Sequence, residues 1–176
     1  MGRSAKKSDT DEAKSSVLVH PYPYHDARNP VLLADVVEGL LAGGRIFLSG
    51  GAGTGKTTLV RRIANQLVQR GKHVVLAAST GIAACQLRDE TGIHNSRYCQ
   101  GPSTLHAAAF LPRVEMPDSN RRIESGRRKL ERARVIIVDE ISMVDRVTFD
   151  RFLQRVEPET GLLVVGDFFQ LPPVPR

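Results

Sequence analysis

With 176 residues, the chain is long enough for one well-cored domain and too short for two of ordinary size. Its 41% apolar content is that of a globular protein, and no run approaches the roughly 18 uninterrupted apolar residues that define a membrane-spanning class. The formal net charge of +6 suggests a polyanionic partner, with eight basic residues against four acidic ones between Arg113 and Arg134. A solvated helix face would account equally for Arg121, Arg122, Arg127, Arg128 and Lys129.

In chain order, residues 1–16 mix Lys6, Lys7 and Lys14 with Asp9, Asp11 and Glu12 and lack an apolar stretch. They read as a disordered tail rather than a secretory signal or transit peptide, leaving residues 17–176 as the folded domain. An intracellular, soluble protein is expected, nuclear in a eukaryote and cytoplasmic in a bacterium or virus. Asn29-Pro30 starts a helix, and Val31, Leu32, Leu33, Val36, Val37, Leu40 and Leu41 give it an apolar face before Gly43-Gly44 ends it. Arg45 to Ser49 is short and apolar enough for a buried strand, and Leu59, Val60, Ile63, Ala64, Leu67 and Val68 recur at helical spacing as far as Gly71. A second strand is expected over His73 to Ala78, a short helix over Ile82 to Leu87, and an irregular surface excursion from Arg88 to Asn120. Helical character returns near Arg121. Val135 to Val138 is a third strand, Val144 to Val156 a long helix, and Leu162 to Val165 a fourth strand. Such alternation implies an α/β fold, a mainly parallel sheet covered on both faces. Cys85 and Cys99 lack metal-ligand spacing and read as reduced thiols.

Between the first strand and its helix, Gly50 to Thr57 reads Gly-Gly-Ala-Gly-Thr-Gly-Lys-Thr, a complete G-x-x-x-x-G-K-[ST] pattern in its confirming context. A triphosphate needs many donors and no intruding side chains. Glycines let successive backbone N–H groups point into one concavity at the positive end of the helix. The nucleotide-binding stretch is Gly51, Ala52, Gly53, Thr54, Gly55, Lys56, Thr57 and Thr58. Lys56 is expected to reach the β- and γ-phosphates and Thr57 to hold Mg²⁺, whereas Thr58 is an ordinary first-turn residue.

The third strand runs straight into Asp139-Glu140, at the edge of an open parallel sheet where ligands bind. Asp139 would act on Mg²⁺, through its water shell, and Glu140 would orient or deprotonate the water attacking the γ-phosphate. A water activator favours a hydrolase over a kinase. The fourth strand leads into Gly166-Asp167-Phe168-Phe169-Gln170-Leu171-Pro172-Pro173-Val174, in which the Gln170 amide could sense the γ-phosphate.

Taken together, Gly51 to Thr57, Ala78 to Ala84 (Ala-Ser-Thr-Gly-Ile-Ala-Ala), Val138 to Asp145 (Val-Asp-Glu-Ile-Ser-Met-Val-Asp) and Gly166 to Val174 resemble four motifs of the PIF (petite integration frequency) family of superfamily-one DNA helicases, in order. The resemblance implies a RecA-like three-layer P-loop domain, ATP and Mg²⁺ as cofactors, and 5′ to 3′ movement on single-stranded DNA in repair, recombination, replication and telomere maintenance. It also implies DNA-backbone contacts for Thr80 and for Thr104 and His106 of Ser-Thr-Leu-His, and a γ-phosphate sensor at Gln170.

The chain departs from the family pattern at three places. No Gln precedes Gln66, where the family carries an adenine-reading glutamine. Extra residues lie between Leu87 and Pro102, including Thr91-Gly92-Ile93-His94, a second candidate for the Thr-Ile-His element. The chain stops at Arg176, so the second RecA-like domain and its arginine finger are expected from another chain or to have been lost by truncation. The alternatives are a nucleotide- or DNA-binding remnant without turnover and a small P-loop kinase or other NTPase.

Overall fold

The structure, a computed structural model, describes residues 30–109 and 130–167. The expected tail, the basic segment around Arg121 and Gln170 with its neighbours lie outside the described residues. Five strands, β1 (Arg45–Ser49), β2 (Val74–Ala78), β3 (Cys99–Thr104), β4 (Val135–Asp139) and β5 (Gly161–Gly166), form one sheet in the order β1-β5-β4-β2-β3, with every pairing parallel. Around it lie α1 (Pro30–Leu41), α2 (Lys56–Gln69), α3 (Gly81–Thr91), α4 (Leu105–Ala109) and α5 (Arg146–Leu153).

The central strands are apolar on both faces because both are covered, and side chains alternate between two cores. Val74 and Leu76, Val135 and Ile137, and Leu163 and Val165 pack with Leu59, Ile63 and Leu67 of α2 and Val37 and Leu40 of α1. Val75 and Ala77, Ile136 and Val138, and Leu162 join Leu105 of α4 and Phe152 of α5 on the opposite face. The result is the parallel sheet covered on both faces expected from the alternation of short strands and helices, in the three-layer RecA-like arrangement that the resemblance implies.

The excursion expected from Arg88 to Asn120 is corrected in its first part. Helix α3 continues through Thr91, and β3 and α4 follow. Cys-Gln-Gly-Pro-Ser-Thr carries almost no strand propensity, and the strand forms because β2 offers an open parallel edge. The helix expected over Val144 to Val156 is shorter, Arg146–Leu153, because Asp145 takes the N-cap: its carboxylate accepts from Thr148 N–H at 2.9 Å and Thr148 Oγ1 at 2.7 Å. A 3-10 turn over Ile141–Met143 fills the interval after β4.

Candidate functional site

All the strands run the same way, so their carboxyl ends share one edge, and each sequence motif begins there. The loop after β1 enters α2 with Gly53 at φ 75° and Gly55, the residue before α2, at φ 86°, both left-handed. A side chain on Gly50 would place its Cβ 2.7 Å from Thr54 Oγ1. That hydroxyl donates to Gly51 O at 2.8 Å and closes the loop. Lys56 Nζ donates to Gly50 O at 2.7 Å and Gly51 O at 2.9 Å, so the ammonium is held inside the cradle by its own loop. Thr57 is half-buried and Thr58 exposed.

Strand β5 separates β1 from β4, bringing Gly166 into register with Ser49 and Val164 with Val138. Asp167, at its end, is buried at the same edge. Asp139 closes β4 and is 7% exposed. Burial pushes its carboxyl up to about 6, partly offset by the Glu140 N–H that donates to Oδ1 at 2.9 Å; Glu140 raises it further and Lys56 lowers it. Glu140 stands at φ 54°, ψ 42°, the one non-glycine residue with positive φ among the described residues. That conformation costs roughly 1–2 kcal/mol and is typical of functional sites. Its Oε2 is buried with no hydrogen-bond partner among the described residues.

Glu140 is not alone in this. Ser79 Oγ after β2, Ser103 Oγ near the end of β3 and Ser142 Oγ after β4 are buried and unpartnered too, so four of the five such side-chain atoms lie at this one edge. Orphaned polar atoms cost free energy unless water or a ligand completes them. Sequence reading missed these serines because their orphaned state is a property of packing, although Ser79 and Ser142 fall inside the motifs.

Thr80 and Thr104 occupy equivalent places after β2 and at the end of β3. Each is a helix cap: Thr80 Oγ1 accepts from Ala83 N–H at 3.1 Å, and Thr104 Oγ1 from Ala107 N–H at 3.2 Å. The register pairs Thr104 with Ala78, which brings the two threonines to neighbouring strand ends. His106 follows on α4, within electrostatic reach of Asp145. The rival Thr91-Gly92-Ile93-His94 lies elsewhere. Thr91 is buried at the end of α3, where its hydroxyl donates to Leu87 O at 2.5 Å, and Gly92 is the left-handed residue that ends the helix.

The donor set suits Mg²⁺, which favours oxygen ligands and retains waters and phosphate oxygens around one or two protein groups. Asp139, a carboxylate that costs free energy to ionise when unaccompanied and that lies within electrostatic reach of Lys56, the residue before Thr57, meets that description. Among the described residues there is no group of three or more His, Cys, Asp or Glu that could hold a metal without such partners.

Comparison with known proteins agrees with this geometry. The AAA domain family matches residues 34–176. The "ATP-dependent DNA helicase PIF1" of Emericella nidulans is 32% identical over 195 aligned positions, covering 99% of this chain and 24% of that protein. Among solved structures, the Pif1 helicase from Candida albicans aligns with a TM-score of 0.60 at 31% identity, over 81% of this chain and 33% of that one. A Bacteroides Pif1 bound to ssDNA aligns with a TM-score of 0.55 at 27% identity, over 82% and 34% respectively. The chain thus spans about a quarter of the curated relative's length. It belongs to the AAA domain family, in the group of P-loop domains found in PIF helicases.

Proposed function

We propose that this chain binds Mg²⁺-ATP at the carboxyl edge of its sheet and hydrolyses it as the first ATPase domain of a single-strand DNA helicase. The observation that carries the reading is the meeting, at one edge, of a self-closed phosphate cradle, a buried Asp139 and a strained Glu140 with an unpartnered oxygen. Incoming phosphates exchange the Gly50 and Gly51 carbonyls for their own oxygens on Lys56, while the loop N–H groups line the cradle. Thr57 and Asp139 would hold Mg²⁺, which neutralises developing charge on the phosphates when bound. Glu140, aimed by its left-handed backbone, orients the attacking water and takes its proton. Gln170 is assigned as the γ-phosphate sensor on its amide chemistry, its place after β5 in the sequence and the resemblance.

Thr80, Thr104 and His106 form the proposed single-strand contact. Movement from 5′ to 3′, a role in repair or recombination, residues 17–176 as the domain, and a second RecA-like domain acting with this one belong to the same proposal.

Calorimetric titration tests the reading. Lys56→Ala should weaken Mg²⁺-ATP binding by about two orders of magnitude, the scale of a lost desolvated charge contact. Equal affinities for wild type and variant would remove the assignment. Glu140→Gln should keep affinity and lower turnover; binding with no Glu140-dependent turnover would favour a nucleotide-binding domain without catalysis.

A further inference from the structure

The extra residues between Leu87 and Pro102 fold into a tightly anchored unit. Thr91 Oγ1 accepts from Ile93 N–H at 3.3 Å, Ser96 N–H donates to Cys99 O at 2.9 Å, and Ile93 is buried in the α2-side core. Val74 N–H donates to Tyr98 O at 2.8 Å, and the Tyr98 ring lies 5.4 Å from that of His73, so the far end of the loop is fixed as well. Between this unit and β3 lies a cleft of about 360 Å³ lined by Arg88, His94, Asn95, Gly101 and Pro102.

Edge strands invite pairing by another strand, and here that is blocked at the cleft. Pro102 has no N–H, and the Gly101 N–H is taken by Asn95 Oδ1 at 2.7 Å. The lining is polar and its formal charge is positive. Arg88 Nη2 donates to Pro102 O at 3.1 Å, which fixes the guanidinium with further donors to offer. The neighbouring acids on α3 do not share its direction. Asp89 is rotated by about 100° around the helix and Glu90 by about 200°, and Glu90 lies within electrostatic reach of Asp139 at the nucleotide edge.

We propose that this cleft seats one phosphate of the single-strand backbone, with Arg88 as its principal contact. It extends the path through Thr80 and Thr104, and so rests on the DNA reading above. Pro102 lies two residues before Thr104 on β3, about 7 Å along the strand, so one backbone can engage both. The Arg88 fork then does what a capping threonine cannot: it adds a charge-assisted, salt-sensitive contact.

The test is fluorescence anisotropy of a labelled oligothymidylate titrated with the 176-residue chain across a KCl series, with retained Mg²⁺-ATP binding as the check that each variant is folded. Arg88→Gln should weaken binding several-fold at low salt and make the slope of log affinity against log salt shallower by about 0.7, the value of one single-strand phosphate contact. His94→Lys adds a cation to the same wall without disturbing the bond to Pro102, and should steepen the slope by about 0.7. Unchanged slopes for both variants, while Thr104→Val still weakens binding, would overturn the cleft and leave the DNA reading standing. Absence of oligothymidylate binding by wild type would remove both.

Discussion

The two ends of the sheet's carboxyl edge are built on opposite terms. Around β1, β5 and β4, the nucleotide end accumulates unfavourable features among the described residues: a buried carboxyl at Asp139, a left-handed Glu140 with an orphaned oxygen, and a lysine whose ammonium is held by the carbonyls of its own loop. The β2 and β3 end has orphaned hydroxyls too, at Ser79 and Ser103, but among the described residues it buries no charged group, and the candidate contacts Thr80 and Thr104 already serve as helix caps with ordinary backbone geometry. One end waits for a charged ligand to complete it. The other leaves only neutral hydroxyls to be completed, which water can do, and its threonines can position a ligand while already capping helices. A site meant to bind, react and release should carry its cost in the empty state, whereas a surface that holds a polymer in passing need not.

The largest expected effect that sharpens this contrast is at Asp139. Its folded value of about 6 lies above the ordinary carboxyl value near 3.8, so the folded state holds the proton more tightly than the unfolded chain. The resulting stabilisation is fully present below about pH 4 and is lost as pH rises through 6. Two units correspond to about 3 kcal/mol at most. Asp139→Asn should therefore be more stable than wild type at pH 7.5 without nucleotide, by about 2–3 kcal/mol, with the difference shrinking towards pH 4. Urea unfolding at both pH values measures it, and equal stability at pH 7.5 would mean that ionised Asp139 is already compensated in the empty protein.

At the other end the sign reverses. Thr80→Ala and Thr104→Ala each remove a cap and should each cost about 1 kcal/mol. Unfolding midpoints in urea report it, and a loss of DNA binding with no loss of stability would show that the caps matter little to the fold. The smallest effect is at Glu140, where glycine relieves the left-handed strain but raises the entropy of the unfolded chain. Glu140→Gly should gain about 0.5–1 kcal/mol by the same measurement while abolishing turnover. A destabilised variant would show that the Glu140 side chain contributes packing that outweighs the strain.

Much of this was legible in the residues. The Gly50 to Thr57 pattern carries its own chemistry, since few local sequences combine this glycine spacing with Lys-Thr at a helix start. Apolar runs such as Val-Ile-Ile-Val marked β4, and its exit into Asp139-Glu140 placed both acids at the binding edge. Reading failed where local propensity and tertiary context disagree. Cys-Gln-Gly-Pro-Ser-Thr forms β3 because β2 leaves an edge to pair with, and the helix expected from Val144 starts late because Asp145 and Thr148 make a cap that periodicity does not register.

By itself, the sequence determined the phosphate cradle, the parallel α/β class and the order of the motifs, because each depends on short-range backbone geometry or on apolar periodicity. Only the tertiary structure decided which threonine-histidine element stands at the ligand edge. Thr91 and Thr104 sit in similar local sequences, Thr-Gly-Ile-His and Thr-Leu-His, and nothing local separates them. Parallel pairing with β2 carries Thr104 to the strand ends beside Thr80, while the end of α3 buries Thr91. The strain at Glu140 and the orphaned serines are likewise consequences of packing, where neighbours distant in sequence remove water from polar groups and leave them for a ligand to satisfy.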